Sequence, residues 1–389
     1  MVAAALAKES PLRVVGAGSK DTLGRPLDLP SLHLDGLSKV GLYEPEELVL
    51  TADAGTRLAE IEAHLEDNRQ QLAFEPADYG ALLGGKPGRA TIGGVLACNL
   101  SGPRRIKAGA ARDHFLGLQA VTGRGELIKA GGRVVKNVTG YDLCKLLAGS
   151  YGTLAVMTEV SVKVLPAAEE TLTLLLAGLA PEDGLGALRM AMASSYDASG
   201  AAYLPPATAA RSAATASAGS GVAAIRLEGP GASLRHRADA LKALLGAPGA
   251  EIGELDTPRS RAFWAALRDV TLLPAADLLW RLSVPPSAAA PLIQELEPQL
   301  PLQWLADWAG GLIWVALQGP LPDGGATVIR TALAPHGGHA TLIRAPAGLR
   351  SEVEVFQPQA APLARLSARV KESFDPKRIL NPGRMYQAI

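Results

Sequence analysis

Thr91-Ile92-Gly93-Gly94-Val95-Leu96-Ala97-Cys98-Asn99-Leu100-Ser101-Gly102 is the stretch whose small residues decide how this chain folds. It opens a longer region, 90–164, that passes through Arg112-Asp113 and Asn137-Val138-Thr139-Gly140-Tyr141-Asp142. The region closes on Gly149-Ser150-Tyr151-Gly152-Thr153-Leu154. Small side chains leave backbone N–H groups uncovered, so a large, flat anion can lie against main chain. A second loop of this kind, Val15-Gly16-Ala17-Gly18-Ser19, lies upstream. Two such loops far apart in sequence imply a dinucleotide clamped from two sides.

Around these loops, strands and helices alternate. Leu12 to Val15 and Leu48 to Ala52 read as strands, and Thr56 as the cap of a helix carrying Leu58, Ile61 and Leu65 at helical spacing. Leu118–Thr122 and Glu126–Ala130 flank Gly123-Arg124-Gly125 as a hairpin. Arg133–Val138 is a further strand, and Thr139 with Asp142 has the spacing of a capping box. An alternating strand, Ala155–Val164, is closed by Pro166. Beyond it Ala, Gly and Ser become dense, and 207–221 reads as an exposed loop or linker. Helices are expected at 185–192, 234–245, 291–296 and 326–333. Strands are expected at 222–227, 278–284, 312–317 and 340–344. Such repeated units predict a sheet covered by helices on one face. In the tail, Leu363, Leu366, Val370 and Phe374 form a helical apolar stripe, followed by Asp375-Pro376 and the turn Asn381-Pro382-Gly383-Arg384.

The chain has 389 residues, more than one core usually fills, so two lobes are expected. Lys+Arg and Asp+Glu are both 38, and this balance gives no reason to expect nucleic acid or an anionic membrane as a partner. Cys98 and Cys144 are the two cysteines, too few to hold an iron–sulfur cluster alone. Residues 1–11 are too short and too soon interrupted by Lys8-Glu9 for a signal peptide, and no apolar run of ~20 residues predicts a spanning helix. A cytoplasmic protein is expected, membrane-associated at most through partner subunits.

Gly16-Ala17-Gly18-Ser19 is not the nicotinamide-dinucleotide fingerprint: position 21 is Asp, and Thr22-Leu23-Gly24-Arg25-Pro26 does not begin the helix that fold requires. The full set of motifs does resemble a family. It comprises Arg13 with Gly16, Gly18 and Ser19; Thr91 to Gly94 with Ala97, Asn99 and Gly102; Gly109 with Arg112-Asp113; Lys136 to Asp142; Gly149-Ser150 with Gly152 to Leu154; and Phe374-Asp375-Pro376 with Ile379 to Gly383. This set resembles the FAD-binding domain of the vanillyl-alcohol-oxidase-type (PCMH-type) flavoproteins, and within them the FAD-binding E subunits of bacterial glycolate oxidases. The resemblance is dense over about the first 165 residues and clear in the last ~20. It implies an α+β fold: a two-subdomain FAD-binding domain at 1–166, an α+β cap with an antiparallel, ferredoxin-like sheet under helices at 167–345, and a C-terminal helix and tail at 346–389 that packs back on the FAD domain.

The resemblance also assigns roles. Backbone amides of Gly16, Ala17, Gly18, Ser19 and Lys20 would bind the FAD pyrophosphate, with the Ser19 hydroxyl as a further donor. Lys20 reads either as added charge or as a solvated surface lysine. Thr91, Ile92, Gly93, Gly94 and Ala97 would let main chain approach the phosphates or ring edge. Asn99 and Ser101, with Gly102, read as donors to flavin or phosphate, or as turn caps. Arg112-Asp113 is a short buried-pair candidate that braces a loop or contacts the flavin directly. Asn137, Thr139, Gly140 and Tyr141 would face the flavin through backbone, or cap the helix after them. Gly152 and Val156 would present main chain to it, and Asn381 would lie near the isoalloxazine or form an Asn-Pro turn.

No histidine precedes Leu32, and Cys98 has small apolar surroundings that read as packing, so FAD is expected to be non-covalent. Substrate chemistry is less legible. No Glu-His pair occurs, and His336-Gly337-Gly338-His339 has glycines where a helical metal pair needs a helix. His339 reads as a strand-end residue. No catalytic residue and no metal-ligand set is assigned. The resemblance implies a subunit of a glycolate (2-hydroxy acid) dehydrogenase, partnered by a second FAD subunit and an iron–sulfur subunit. A self-sufficient FAD alcohol or hydroxy-acid oxidoreductase, or an assembly subunit with structural flavin, are the alternatives.

Overall fold

The computed structural model describes residues 1–133, 140–246 and 251–389. The chain divides into two compact units: residues 1–102, 109–167 and 354–389 in the first, and 103–108 and 168–353 in the second. Residues 354–389 of the tail thus fall in the first unit, whereas 346–353, expected with the tail, and 103–108, expected in the first domain, fall in the second.

In the first unit, β1 (Arg13–Val15) and β2 (Ser31–His33) pair in parallel. A five-stranded antiparallel sheet contains β3 (Val40–Glu44), β4 (Val49–Asp53), β6 (Phe115–Thr122), β7 (Leu127–Gly131) and β8 (Ala155–Lys163) in the order β3-β4-β8-β6-β7. Two short strands, β5 (Gln70–Gln71) and β9 (Leu165–Pro166), pair beside it. The hairpin expected around Gly123 is β6–β7. The helix Leu58–Asp67 buries Leu58, Ile61 and Leu65. Thr56 does not cap it: Arg57 is the N-cap, and the fully buried Thr56 hydroxyl donates to Lys39 O at 3.1 Å. Arg133 lies in a bend, and the rest of the expected strand, 134–138, with Thr139 of the capping box, lies outside the described residues. Asp142 caps the helix Leu143–Leu147, accepting from Lys145 N at 3.0 Å.

The second unit is one eight-stranded antiparallel sheet built from β10 (Glu170–Ala177), β11 (Gly200–Leu204), β12 (Val222–Gly229), β13 (Glu251–Leu255), β14 (Leu278–Ser283), β15 (Leu302–Asp307), β16 (Leu312–Leu317) and β17 (His339–Arg344). Its order, β13-β10-β12-β11-β15-β16-β14-β17, is two βαββαβ halves joined edge to edge. The helices Pro181–Ala193 and Gly231–Leu245 complete the first half, and Ala289–Leu296 and Ala326–Leu333 the second. The join is the pairing of Tyr203 with Ala306.

The expected linker at 207–221 is a correction. Pro206–Ala209 is a helical turn, and Thr208, Ser212 and Thr215 are buried. Thr208 donates to Trp304 O and Thr215 to Ala209 O, each at 2.7 Å, so hydroxyls satisfy carbonyls that a solvated linker would leave to water. The tail helix Ala361–Phe374 also departs from its pattern. Leu363 and Leu366 are exposed, while Lys371 is fully buried.

Candidate functional site

The loop after β1 turns back the chain with Gly18 at φ +80°. The backbone N–H groups of Gly16, Ala17, Gly18, Ser19 and Lys20 donate to no acceptor among the described residues. Five consecutive bare donors form an anion-binding concavity. A Cβ on Gly16 would lie 2.6 Å from Thr91 Oγ1, so glycine alone lets this loop meet the second one.

There, Thr91 caps the helix Ile92–Cys98, its hydroxyl accepting from Gly94 N at 3.3 Å. A Cβ on Gly93 would sit 2.7 Å from Ala54 Cβ, so this helix rests directly on the turn after β4. The Lys20 ammonium reaches across, donating to Ser19 Oγ at 3.1 Å. Burial pushes the Lys20 pKa down, with the charges of Cys98 and Asp78 opposing. Such an under-solvated cation beside bare N–H groups gains most from an anion. Burial pushes the Cys98 thiol up, against the pull of Lys20 and Arg384, which suppresses its nucleophilic thiolate.

The third wall is the tail. Asn381, buried with φ 44°, accepts from Val14 N at 2.7 Å and donates to Tyr151 O at 2.7 Å. A Cβ on Gly152 would lie 2.8 Å from Asn381 Nδ2. Arg384 donates to the carbonyls of Lys20 and Asp21 at 3.0 Å each. The buried carboxylate of Asp375 accepts from the N–H groups of Ile379 and Leu380 at 3.0 and 2.8 Å. Lys371 donates to Asp375 Oδ2, Thr153 O and Leu380 O at 2.6, 2.7 and 2.8 Å. Three acceptors engage all three ammonium protons.

These walls line a single cavity that opens to solvent. Of the expected residues, Gly16, Ala17, Gly18, Ser19, Lys20, Thr91, Gly93, Gly94, Ala97, Gly152 and Asn381 line it together. Lys20 is thus a cavity residue rather than a solvated surface lysine. The other described ones do not line it. Ile92 and Val156 point into core, Val156 packing with Leu32, Ile379 and Leu380. Asn99 Oδ1 accepts from Arg112 N, and Ser101 Oγ from Ala111 N, so both brace the loop that follows Gly102. Arg112 and Asp113 form an ion pair at 3.6 Å that is half exposed, not buried. Gly140 and Tyr141 are exposed, Tyr141 at 92%. Asn137 and Thr139 lie outside the described residues. Sequence reading missed Leu34, Ala54, Tyr151, Met157 and Arg384, all in the lining, and took Cys98 as packing although it also lines the cavity. Tyr151 and Arg384 sat inside quoted motifs; Leu34, Ala54 and Met157 carry no local signal.

The donor set, five N–H groups with a half-buried ammonium, suits a dinucleotide pyrophosphate. Comparison with known proteins agrees. A family model described as FAD binding domain matches residues 1–131. Among solved structures, 4-ethylphenol oxidase from Gulosibacter chungangensis superposes with TM-score 0.72 at 14% identity, over 98% of this chain and 86% of that one. p-Cresol methylhydroxylase gives 0.71 at 13%, over 98% and 85%. These likenesses establish the fold: that of the PCMH-type flavoproteins. Glycolate oxidase subunit GlcE of Escherichia coli (strain K12) is 36% identical over 389 residues, 99% of this chain and 95% of its own. Glycolate oxidase subunit GlcD of Bacillus subtilis (strain 168) is 45% identical over 86 residues, 22% of this chain and 18% of its own. The chain belongs to the GlcE family of FAD-binding glycolate oxidase subunits.

Proposed function

We propose that this chain is the FAD-binding subunit of a multi-subunit glycolate (2-hydroxy acid) dehydrogenase, in which glycolate is oxidised to glyoxylate and electrons pass on through partner subunits. The observation that carries the reading is the run of bare N–H groups from Gly16 to Lys20, faced by the Lys20 ammonium and closed by Asn381. The N–H groups and Lys20 hold the pyrophosphate. Asn381 locks the tail across the mouth of the β1 loop. Bound FAD supplies the two-electron acceptor that these side chains lack. The cofactor is held without a covalent bond, since the one thiol in the cavity is kept protonated by burial.

The first unit is the cofactor unit, and the second corresponds to the α+β cap domain. Cys98 and Cys144 cannot supply the four thiolates of a cluster, so onward electron transfer falls to an iron–sulfur subunit alongside a second FAD subunit. The complex is cytoplasmic, attached to a membrane, where it is, through its partners. Among the described residues no helix is long and apolar enough to cross a membrane.

Purification of the native complex, followed by acid precipitation of this chain, tests the reading. FAD should be present and should leave with the supernatant. A native complex whose copy of this chain carries no flavin would sink the reading; yellow colour remaining on the precipitated chain would sink non-covalent binding. Anaerobic glycolate should bleach the flavin of the whole complex.

A further inference from the structure

The second unit carries a group of side chains that flavin binding does not use. Arg281 on β14 lies opposite Thr341 on β17, and Ser283 lies opposite His339. Residues directly opposed, and those two apart, share a face, so Arg281 and His339 project from the same side of the sheet. The Arg281 guanidinium lies 5.2 Å from the centre of the Trp308 ring, and the Arg105 guanidinium, from the segment 103–108, lies 4.4 Å from it. Neither the Arg281 guanidinium nor the His339 ring has a hydrogen-bond partner among the described residues.

Trp308 is held at a cost. It sits at φ 54° and is followed by Ala309 at φ 56°. A bulky residue in the left-handed region is strained and marks a place the surrounding structure insists upon. The insistence comes from Asp307, buried, whose Oδ1 accepts from Trp308 N at 2.7 Å. His339 is exposed at the start of β17, with its ring partly covered. Even so, burial of the ring, with the charges of Arg281 and then Arg105, holds its pKa below the usual histidine range.

We infer that Arg281 and His339, over the Trp308 ring, form a binding site for the carboxylate of a small organic monoanion, the substrate of the dehydrogenase. The inference rests on the proposed function for the identity of that anion. The chemistry follows from the donors. A guanidinium presents a planar fork that takes a carboxylate through two parallel hydrogen bonds. The place of Arg281 over the indole, 5.2 Å from the ring centre, holds it by cation–π attraction. The imidazole adds one hydrogen-bonding group at the edge of the same face. The planar fork of Arg281, with the imidazole beside it, matches a planar carboxylate better than a tetrahedral phosphate.

Calorimetric binding to the FAD-loaded protein tests this, with glycolate, acetate and inorganic phosphate as probes and no electron acceptor present. Glycolate and acetate should bind and compete with each other, and phosphate should bind more weakly than either. Arg281→Met should weaken glycolate at least ~10-fold, and His339→Gln ~3-fold or more, with FAD content and melting temperature unchanged. Arg281→Lys, which keeps charge without the fork, should fall between wild type and Arg281→Met, and it stands in for that variant if Arg281→Met fails to fold. Undiminished glycolate binding in Arg281→Met or Arg281→Lys would overturn the site, as would tighter binding of phosphate or no carboxylate binding by FAD-loaded protein. A chain that holds no FAD is a separate result, which fails the flavin reading instead.

Discussion

Gly16 shows how much one missing Cβ decides. Alanine there would place its methyl 2.6 Å from Thr91 Oγ1, and Thr91 is buried and engaged as a helix cap. Gly16→Ala must therefore push the two loops apart, and the protein is expected to retain at least ~10-fold less FAD after gel filtration, read from the flavin-to-protein absorbance ratio. Lys20→Met keeps the loop but removes the ammonium. The FAD dissociation constant should rise about tenfold, and less so at high salt, because the lost contribution is electrostatic. Equal affinity for wild type and Lys20→Met would mean that backbone alone holds the pyrophosphate. The glycines were readable as a cradle because their spacing is local. Leu34 and Met157 were not, since an apolar residue in a strand gives no sign of which face it will occupy until the strand has a partner.

The tail is the element whose sequence pattern and packing disagree most. Its apolar stripe predicts a helix buried through Leu363 and Leu366, yet both are exposed and Lys371 is the buried residue. The C-terminal half docks instead. Lys371 and Asp375 form an ion pair with both side chains fully buried, and between them they engage the backbone at Thr153, Ile379 and Leu380. That network fixes the turn from which Asn381 reaches Val14 and Tyr151. Lys371→Met leaves a buried carboxylate without its cation and should cost about 3–5 kcal/mol in urea unfolding. The double variant Lys371→Met with Asp375→Leu should recover part of that loss. A loss below ~1 kcal/mol in the single variant would show that the pair is dispensable. Asp375 and Asn381 could be seen in sequence as a Pro- and Gly-marked turn. The partners that Lys371 and Asn381 find lie far away along the chain, at Thr153, Tyr151 and Val14, and no local pattern reports them.

At the scale of the whole molecule, the two units are interleaved in sequence, and the ion pair Arg104–Glu228 shows one consequence. Residues 103–108 leave the first unit to join the second, where Arg104 meets the Glu228 carboxylate at 2.8 Å with both side chains 13% exposed. Burial raises the Glu228 pKa. The hydrogen bond from Arg104 and the charges of Arg226 and Arg104 outweigh it, and the result falls from the ordinary 4.5 to about 2. A depressed folded-state pKa gives stability that is present above the unfolded value and lost as pH falls toward the folded one. Glu228→Gln should therefore destabilise the protein by on the order of 2–3 kcal/mol at pH 6, and the difference from wild type should shrink between pH 4.5 and 2. Denaturant midpoints across that range check it; a gap that stays constant down to pH 2 would refute the charge assignment.

The sequence by itself determined the alternating elements, the two glycine loops, the Asn-Pro-Gly turn of the tail and, through their combination, the flavoprotein class. Each of these is a short-range property: backbone freedom, helical or strand periodicity, a cap. Tertiary structure decided which of those residues meet. It brought Lys20 into the cavity rather than to the surface, turned Ile92 and Val156 into core and left Tyr141 in solvent. It also folded the supposed linker at 207–221 into packed turns and built the second unit from two joined βαββαβ halves. The physical reason is the same throughout. A residue's neighbours along the chain set its dihedral angles, but its burial, charge state and hydrogen-bond partners are set by segments that arrive from elsewhere in the chain.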